Sequence, residues 1–343
     1  MKKSYLTFLV LLVSLLILPM EKAFAASEKD NVDYSVQPIL PNNQLDRGKT
    51  FFDLRVKPGD KQELKVQINN YSKKEQKYFI SINTAETNGN LTIDYARSKL
   101  PKNSPNQQPI SQYVDYPKEV TVPAEKAGLV TINLQVPKKK FEGILLGGIQ
   151  VKKDFSQEEN QIKQAIKSEY DYILGLMLSE DDQAVKPDLK LVNLEPEIIS
   201  NNAGLTVQLK NTKPINISEV HMISNIFEDN NQEKKVMTRE IKSGSIAPLS
   251  LFKINLFNGK AGATKPLKAG DYFMTMTVGD DAYHKWYFEK KFTITEKEAT
   301  SVNNKVFKVK SDNTLLYLII GILLAILVFF IILMLVKRRK KEE

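Results

Sequence analysis

Two histidines, His221 and His284, are the only imidazoles in 343 residues, and cysteine is absent altogether. Thiol nucleophiles and cysteine-based metal sites are therefore excluded from the start. Neither histidine stands in an HExxH or H-x-H pattern, so each is expected on the solvent face of a strand. No G-x-S-x-G supplies a nucleophile elbow. Gly259 to Lys265 reads GKAGATK, but the order of a phosphate-binding loop fails there. Asp280-Asp281 and Glu228-Asp229-Asn230-Asn231 lack the alternating spacing of a calcium loop. With 40 acidic residues, a carboxylate pair for glycoside hydrolysis can be drawn anywhere, and an unspaced pair carries no weight. The expectation is a binding protein, not an enzyme, with no cofactor and no metal.

Binding chemistry shows more clearly in PNNQLDRGKTFFDLRVKPGD, residues 41 to 60. Asn42, Asn43 and Gln44, with Asp46 close behind, are polar side chains that core packing does not require. Amides carry both donors and acceptors, so they suit a sugar or another backbone. These four are the candidate binding residues, and a capped turn is the alternative reading. Phe52, Leu54 and Val56 alternate as one core-facing strand, with Pro58-Gly59-Asp60 turning into the next.

The ends of the chain say where such a surface would work. Lys2 and Lys3 precede an apolar run from Tyr5 to Pro19, which closes on Ala23-Phe24-Ala25. This is the form of a secretory signal over residues 1–25, with cleavage after Ala25. Leu315 to Val336 is uncharged and apolar, and a bilayer core of about 30 Å needs roughly 20 helical residues. The basic tail, residues 337–343, follows at once, which places it in the cytoplasm and the rest outside. The expectation is a single-pass protein of the cell membrane with an external N-terminal ectodomain. Of the formal charge of +9, five belong to the signal and tail, leaving +4 on the ectodomain. That balance gives no reason to propose nucleic acid as a partner. An ectodomain without cysteine fits a Gram-positive bacterium better than a disulfide-using secretory pathway.

Period-two patterning dominates the ectodomain. Leu64-Val66-Ile68, Tyr78-Ile80-Ile82 and Val130-Ile132-Leu134-Val136 alternate with polar residues, as half-buried strands do. Asn88-Gly89 reads as a two-residue hairpin turn. FEGILLGGIQV, Phe141 to Val151, is apolar without alternation, which predicts a central strand with glycines where other groups approach closely. Arg97 to Pro117 carries four prolines and predicts a long surface loop. Beyond Ser156 a short helix and a solvated loop are equally compatible with the residues. A second strand set runs from Leu205 to Ile294, and its single tryptophan, Trp286, is expected as a core anchor. The fold class is all-β: two tandem immunoglobulin-like β-sandwich domains, 26–183 and 184–296, plus one C-terminal transmembrane helix over 315–336. Residues 297–314, charged and poor in large apolar side chains, are expected as a stalk.

VQPILPNNQ, FFDLRVKPGDKQELKVQINN, TAETNGN, FEGILLGGI and YDYILGLML occur in that order, then SGSIAPLSLFKINL, LKAGDYFMTMTV and KWYFEKKFTI. This succession resembles the WxL-interacting proteins of Gram-positive bacteria. The resemblance implies an N-terminal domain that binds peptidoglycan and a C-terminal domain that binds host proteins, those of the extracellular matrix among them. It also implies WxL-domain surface proteins as partners. A chaperone-like role, adding an edge strand to exported WxL subunits, is the alternative. One departure from the family pattern is Ala247-Pro248-Leu249-Ser250, where the family favours Asn after Ala-Pro.

Overall fold

Alternating apolar residues can bury one face of a strand only against a second layer, and the chain forms two such layered units. The computed structural model describes residues 33–156, 170–228, 231–307 and 318–329. The signal segment and the stretch from 157 to 169 lie outside the described residues.

In the first unit a four-stranded sheet runs β1 (Tyr34–Ile39), β3 (Lys61–Asn70), β9 (Ala127–Gln135) and β7 (Val114–Asp115). A five-stranded sheet faces it: β2 (Phe52–Arg55), β11 (Asp171–Ser179), β10 (Ile144–Lys153), β4 (Gln76–Thr84) and β8 (Glu119–Val122). Leu64, Val66, Ile68, Tyr78, Ile132 and Leu176, all but fully buried, pack into one core between the sheets. The non-alternating stretch becomes β10, the middle strand. Gly147 and Gly148 point to opposite faces of it, as neighbours on a strand must. A Cβ on Gly147 would lie 2.5 Å from the Ile110 side chain, and one on Gly148 would lie 2.5 Å from the Tyr95 ring. Tyr95 lies just before the Arg97–Pro117 loop and Ile110 within it, in a 3₁₀ turn (Ile110–Gln112) that precedes β7.

The second unit pairs a sheet of β12 (Leu189–Ile199), β13 (Asn202–Asn211) and β16 (Leu251–Phe257) with one of β15 (Asn231–Ile241), β14 (His221–Glu228), β19 (Gly270–Gly279) and β20 (Lys285–Ile294). A small hairpin joins β17 (Gly259–Lys260) to β18 (Ala263–Thr264). Trp286 and Phe288 are half-buried against this core. Residues 297–307 do not form the expected stalk, because helix α1 (Glu296–Phe307) docks onto the second unit. Thr295 and Glu298 exchange backbone and side-chain hydrogen bonds as a capping box. Ala299 and Val302 are buried, and Asn303 both donates to and accepts from the Leu267 backbone at 2.8 Å. The capping box and the Ala299-Val302-Val306 stripe outweigh the charge that suggested a stalk. Within the expected membrane span, residues 318–329 are helical and exposed, and the rest lies outside the described residues. No helix among the described residues is long and apolar enough to cross a membrane.

The Asn88-Gly89 turn differs from its sequence reading. It is a wider turn between β5 (Glu86–Thr87) and β6 (Ile93–Asp94), closed by the Asn88 side chain accepting from the Asn90 and Thr92 amides. The positive φ falls on Leu91, at 55°. Leu91 is 1 % exposed and belongs to the core of the second unit, not the first. Around it the Ser245 amide donates to the Leu91 carbonyl at 2.6 Å, and the Ala247 amide donates to Thr87 Oγ1 at 2.9 Å. Thr87 and Ser250 hydroxyls lie 2.7 Å apart. Leu249, where the family pattern has Asn, holds φ at 47°. That conformation suits Asn better than Leu, and the turn it makes aims Ser250 at Thr87.

Glu86 sits at this joint, 3 % exposed, with Oε2 unpartnered among the described residues. Burial lifts its pKa from 4.5 to about 7, with Arg97 opposing the shift and Asp94 adding to it. The folded chain therefore holds this proton more tightly than the unfolded chain does. The stability it contributes is complete below about pH 4.5 and is lost as pH rises to about 7. Denaturant melts across that range should show a decline that Glu86→Gln flattens.

Candidate functional site

At the end of the four-stranded sheet, where β3, β9 and β7 meet, a cleft of about 830 Å³ opens. Register places its polar side chains. Glu63 stands opposite Asn133, which stands opposite Asp115, while Lys61 pairs with Gln135. The Gln135 amide donates to the Tyr113 carbonyl at 2.8 Å, which fixes the loop wall against β9. Asn133, Gln135 and Gln112 are exposed, Tyr113 is half-buried, and Gln62 closes the inner side. Amides offer a donor and an acceptor each, and Tyr113 adds a phenol ring, so hydroxyl and acetamido groups find complements here. Lys61 and Lys138 face Glu63 and Asp115 around the rim, so neither sign dominates.

The four residues expected to bind are divided by the structure. Asn42 is exposed. Asn43 donates from Nδ2 to Gln62 Oε1 and to the Arg55 carbonyl, both at 2.8 Å, and so positions a cleft-wall side chain. Gln44 is 7 % exposed and wholly engaged inside the turn. Its Nε2 donates to the Asp46 and Phe51 carbonyls at 3.0 Å, and its Oε1 accepts from the Asp53 amide at 3.1 Å. Asp46 Oδ1 accepts from the Gly48 amide at 2.8 Å. Only Asn43 is tied to the cleft, through Gln62. Asn133 and Gln135 on β9, and Gln112 in the 3₁₀ turn, carry no signal in the sequence, because exposed amides look like solvated positions. Alternation placed Asn133 and Gln135 on the outer face, but only strand register brings them to Tyr113.

The imidazoles build nothing comparable. His284 Nδ1 lies 2.8 Å from Asp280 Oδ2 and stacks on Trp286, with ring centroids 6.0 Å apart. His221 is exposed on β14. Among the described residues no three potential ligands gather for a metal ion.

Residues 34–153, which contain the whole cleft, match the WxL Interacting Protein peptidoglycan binding domain, and residues 161–304 match the host binding domain of the same family. The chain belongs to the WxL-interacting protein family. Its two matched regions are thus a peptidoglycan-binding and a host-binding domain. No curated protein matches the chain. Among solved structures, the class 5 fimbriae chaperone CfaA is 10 % identical, covers 75 % of this chain and 98 % of its own, and gives a TM-score of 0.28. The Pseudomonas aeruginosa CupB2 chaperone is 13 % identical, with 66 % and 91 % covered and a TM-score of 0.27. The Escherichia coli chaperone DraB is 12 % identical, with 76 % and 98 % covered and a TM-score of 0.26. The boundary between the two matched regions does not follow the fold. β11 lies inside 161–304, yet it pairs with β10 and β2 in the sheet of the peptidoglycan-binding domain.

Gln44→Ala should lower stability by about 1–3 kcal/mol, because it strands the buried Asp53 amide. Asn42→Ala should change it by less than about 0.5 kcal/mol. Urea melts of the two variants side by side check the contrast.

Proposed function

We propose that this chain is a cell-surface binding protein that holds peptidoglycan in the amide-lined cleft of its first domain. The observation that carries this reading is the position of the cleft, which lies entirely within the residues matched to the peptidoglycan-binding family. Peptidoglycan presents hydroxyl and N-acetyl groups along a chain, and an open cleft of amides and one phenol complements them. The first domain also engages WxL-domain surface proteins, and the second engages other proteins, host proteins among them. Leu315 to Val336 anchors the protein in the cell membrane as a single span, with the basic tail in the cytoplasm. The exposed apolar helix over residues 318–329 supports that anchor, as does the charge asymmetry around it.

Sedimentation of the full-length protein with isolated peptidoglycan sacculi tests the cleft. Asn133→Ala combined with Gln135→Ala should weaken binding about tenfold, the loss of one or two net hydrogen bonds. Both positions are exposed, so the melting temperature should stay in place. Unchanged binding by the double variant would move the site elsewhere, and turnover of labelled wall fragments would replace binding with catalysis.

A second reading, strand addition to an exported WxL subunit, is favoured by one feature. Among the described residues β20 is an edge strand whose one strand neighbour is β19, and a strand in that position can accept another by addition. Deleting the gene should then lower the amount of folded WxL partner at the surface, measured by protease resistance on intact cells. An undiminished partner level rejects strand addition.

A further inference from the structure

A second cleft, of about 420 Å³, lies beside the first, and Gln112 lines both. Its chemistry differs. Arg97 and Lys99 stand on one side, with the hydroxyls of Thr84, Ser98 and Ser111 and the amide of Asn106 around them. Both cations are exposed, and neither forms an ion pair among the described residues. The first cleft balances its charges, whereas this one has no acidic side chain in its lining.

The wall of this cleft is built, not draped. Thr84, 5 % exposed on β4, lies 3.1 Å from the Ser111 hydroxyl and accepts from the Ser111 amide at 3.3 Å. Ser104 and Asn106 accept from backbone amides two residues on, at 3.3 Å and 3.0 Å, and so fold the loop on itself. Ile110 and Pro109 are buried beneath it. Arg97 and Lys99 follow Tyr95, whose carbonyl accepts from Asn83 Nδ2 at 2.7 Å, so the segment that carries them is tied at its start.

We propose that the second cleft is an anion subsite, taking a carboxylate carried by the same ligand whose sugar groups occupy the amide-lined cleft. This rests on the reading of that first cleft as the wall-polymer site. Peptidoglycan fits both halves at once, since its acetylated sugars bear short peptides that end in carboxylates. A guanidinium and an ammonium with hydroxyl donors around them form charge-assisted hydrogen bonds to such a group. Gln112, common to both clefts, stands where the sugar and its peptide branch.

The test uses the full-length protein and two soluble wall fragments, a disaccharide bearing a tetrapeptide and the same disaccharide with the peptide removed. The wild type should bind the peptide-bearing fragment about tenfold more tightly, a margin that narrows as salt is raised. Arg97→Gln with Lys99→Gln should erase that margin and leave affinity for the bare disaccharide as it was. Lys99→Gln alone, at an exposed position, should remove part of it without touching the melting temperature. Equal wild-type affinity for the two fragments overturns the anion subsite and leaves the amide cleft standing. Binding to neither fragment overturns the amide cleft itself, and the subsite with it. Sacculi stripped of covalent phosphate polymers supply the last arm. If the double variant then matches the wild type on stripped sacculi but not on intact ones, the anion is a phosphate and the carboxylate assignment is wrong.

Discussion

Two adjacent glycines in the middle strand of the first domain set the position of everything at the candidate site. Gly147 receives Ile110 on the core side, and Gly148 receives the Tyr95 ring on the other face. Each glycine inside a strand costs about 0.5–1 kcal/mol in backbone entropy. Burying even half of a tyrosine's 150–250 Å² contributes about 2–3 kcal/mol, so the exchange is favourable. The consequence reaches past stability. Tyr95 lies just before the loop that walls both clefts, Ile110 lies within it, and Gln112 follows Ile110 by two residues in the 3₁₀ turn. A side chain on either glycine would displace the chain at one of these two points and with it the shared wall. The glycine-rich strand shapes both clefts by leaving room for the loop to sit.

The same segment of chain couples the two domains. β4 runs beside β10 and passes directly into the hairpin whose tip enters the second core. Holding Leu91 in the left-handed region costs roughly 1–2 kcal/mol. Burying a leucine side chain contributes about 1.5–3 kcal/mol, which offsets that strain. Gly143 adds a second close approach, since a Cβ there would lie 2.1 Å from the Pro214 carbonyl oxygen. The Ile144 amide donates to that same oxygen at 2.8 Å. Two separate points of contact, with backbone hydrogen bonds at each, resist rotation better than a linker could. A load on the second domain therefore passes to the first through packed backbone.

How much of this the sequence disclosed depends on the range of the interaction involved. Alternation at Leu64-Val66-Ile68 and at Tyr78-Ile80-Ile82 reports a local constraint, one buried face per strand, and those strands stand where the pattern put them. The glycines of FEGILLGGIQV announced close neighbours, but nothing local says that Tyr95, Ile110 and Pro214 are those neighbours. The Asn88-Gly89 pair suggested a tight hairpin, yet the fold gives the positive φ to Leu91 because a distant core binds its side chain. The residues alone left Gln44 between a binding surface and a capped turn, because its partners, Phe51 and Asp53, are carbonyl and amide groups whose position no side-chain pattern encodes. The cleft itself arises from cross-strand register, which sequence spacing within one strand does not contain.

The mismatch at β11 shows that the two matched regions share one sheet. This strand falls within the host-binding match, but β10 has it as one of only two neighbours, and β2 pairs with no other strand. Its Leu174, Leu176 and Leu178 are core residues of the peptidoglycan-binding domain. A cut at residue 160 would expose those leucines' partners, open the edge of the central strand and leave β2 with only its short antiparallel bridge to Gln44. β2 in turn carries Asp53 and Arg55, whose backbone groups hold Gln44 and Asn43, and Asn43 holds Gln62 at the cleft. The candidate cleft thus depends, through three successive contacts, on a strand that lies beyond its own matched residues. The physical boundary between the domains falls after Ser179, where strand pairing to the first sheets ends and β12 begins the second.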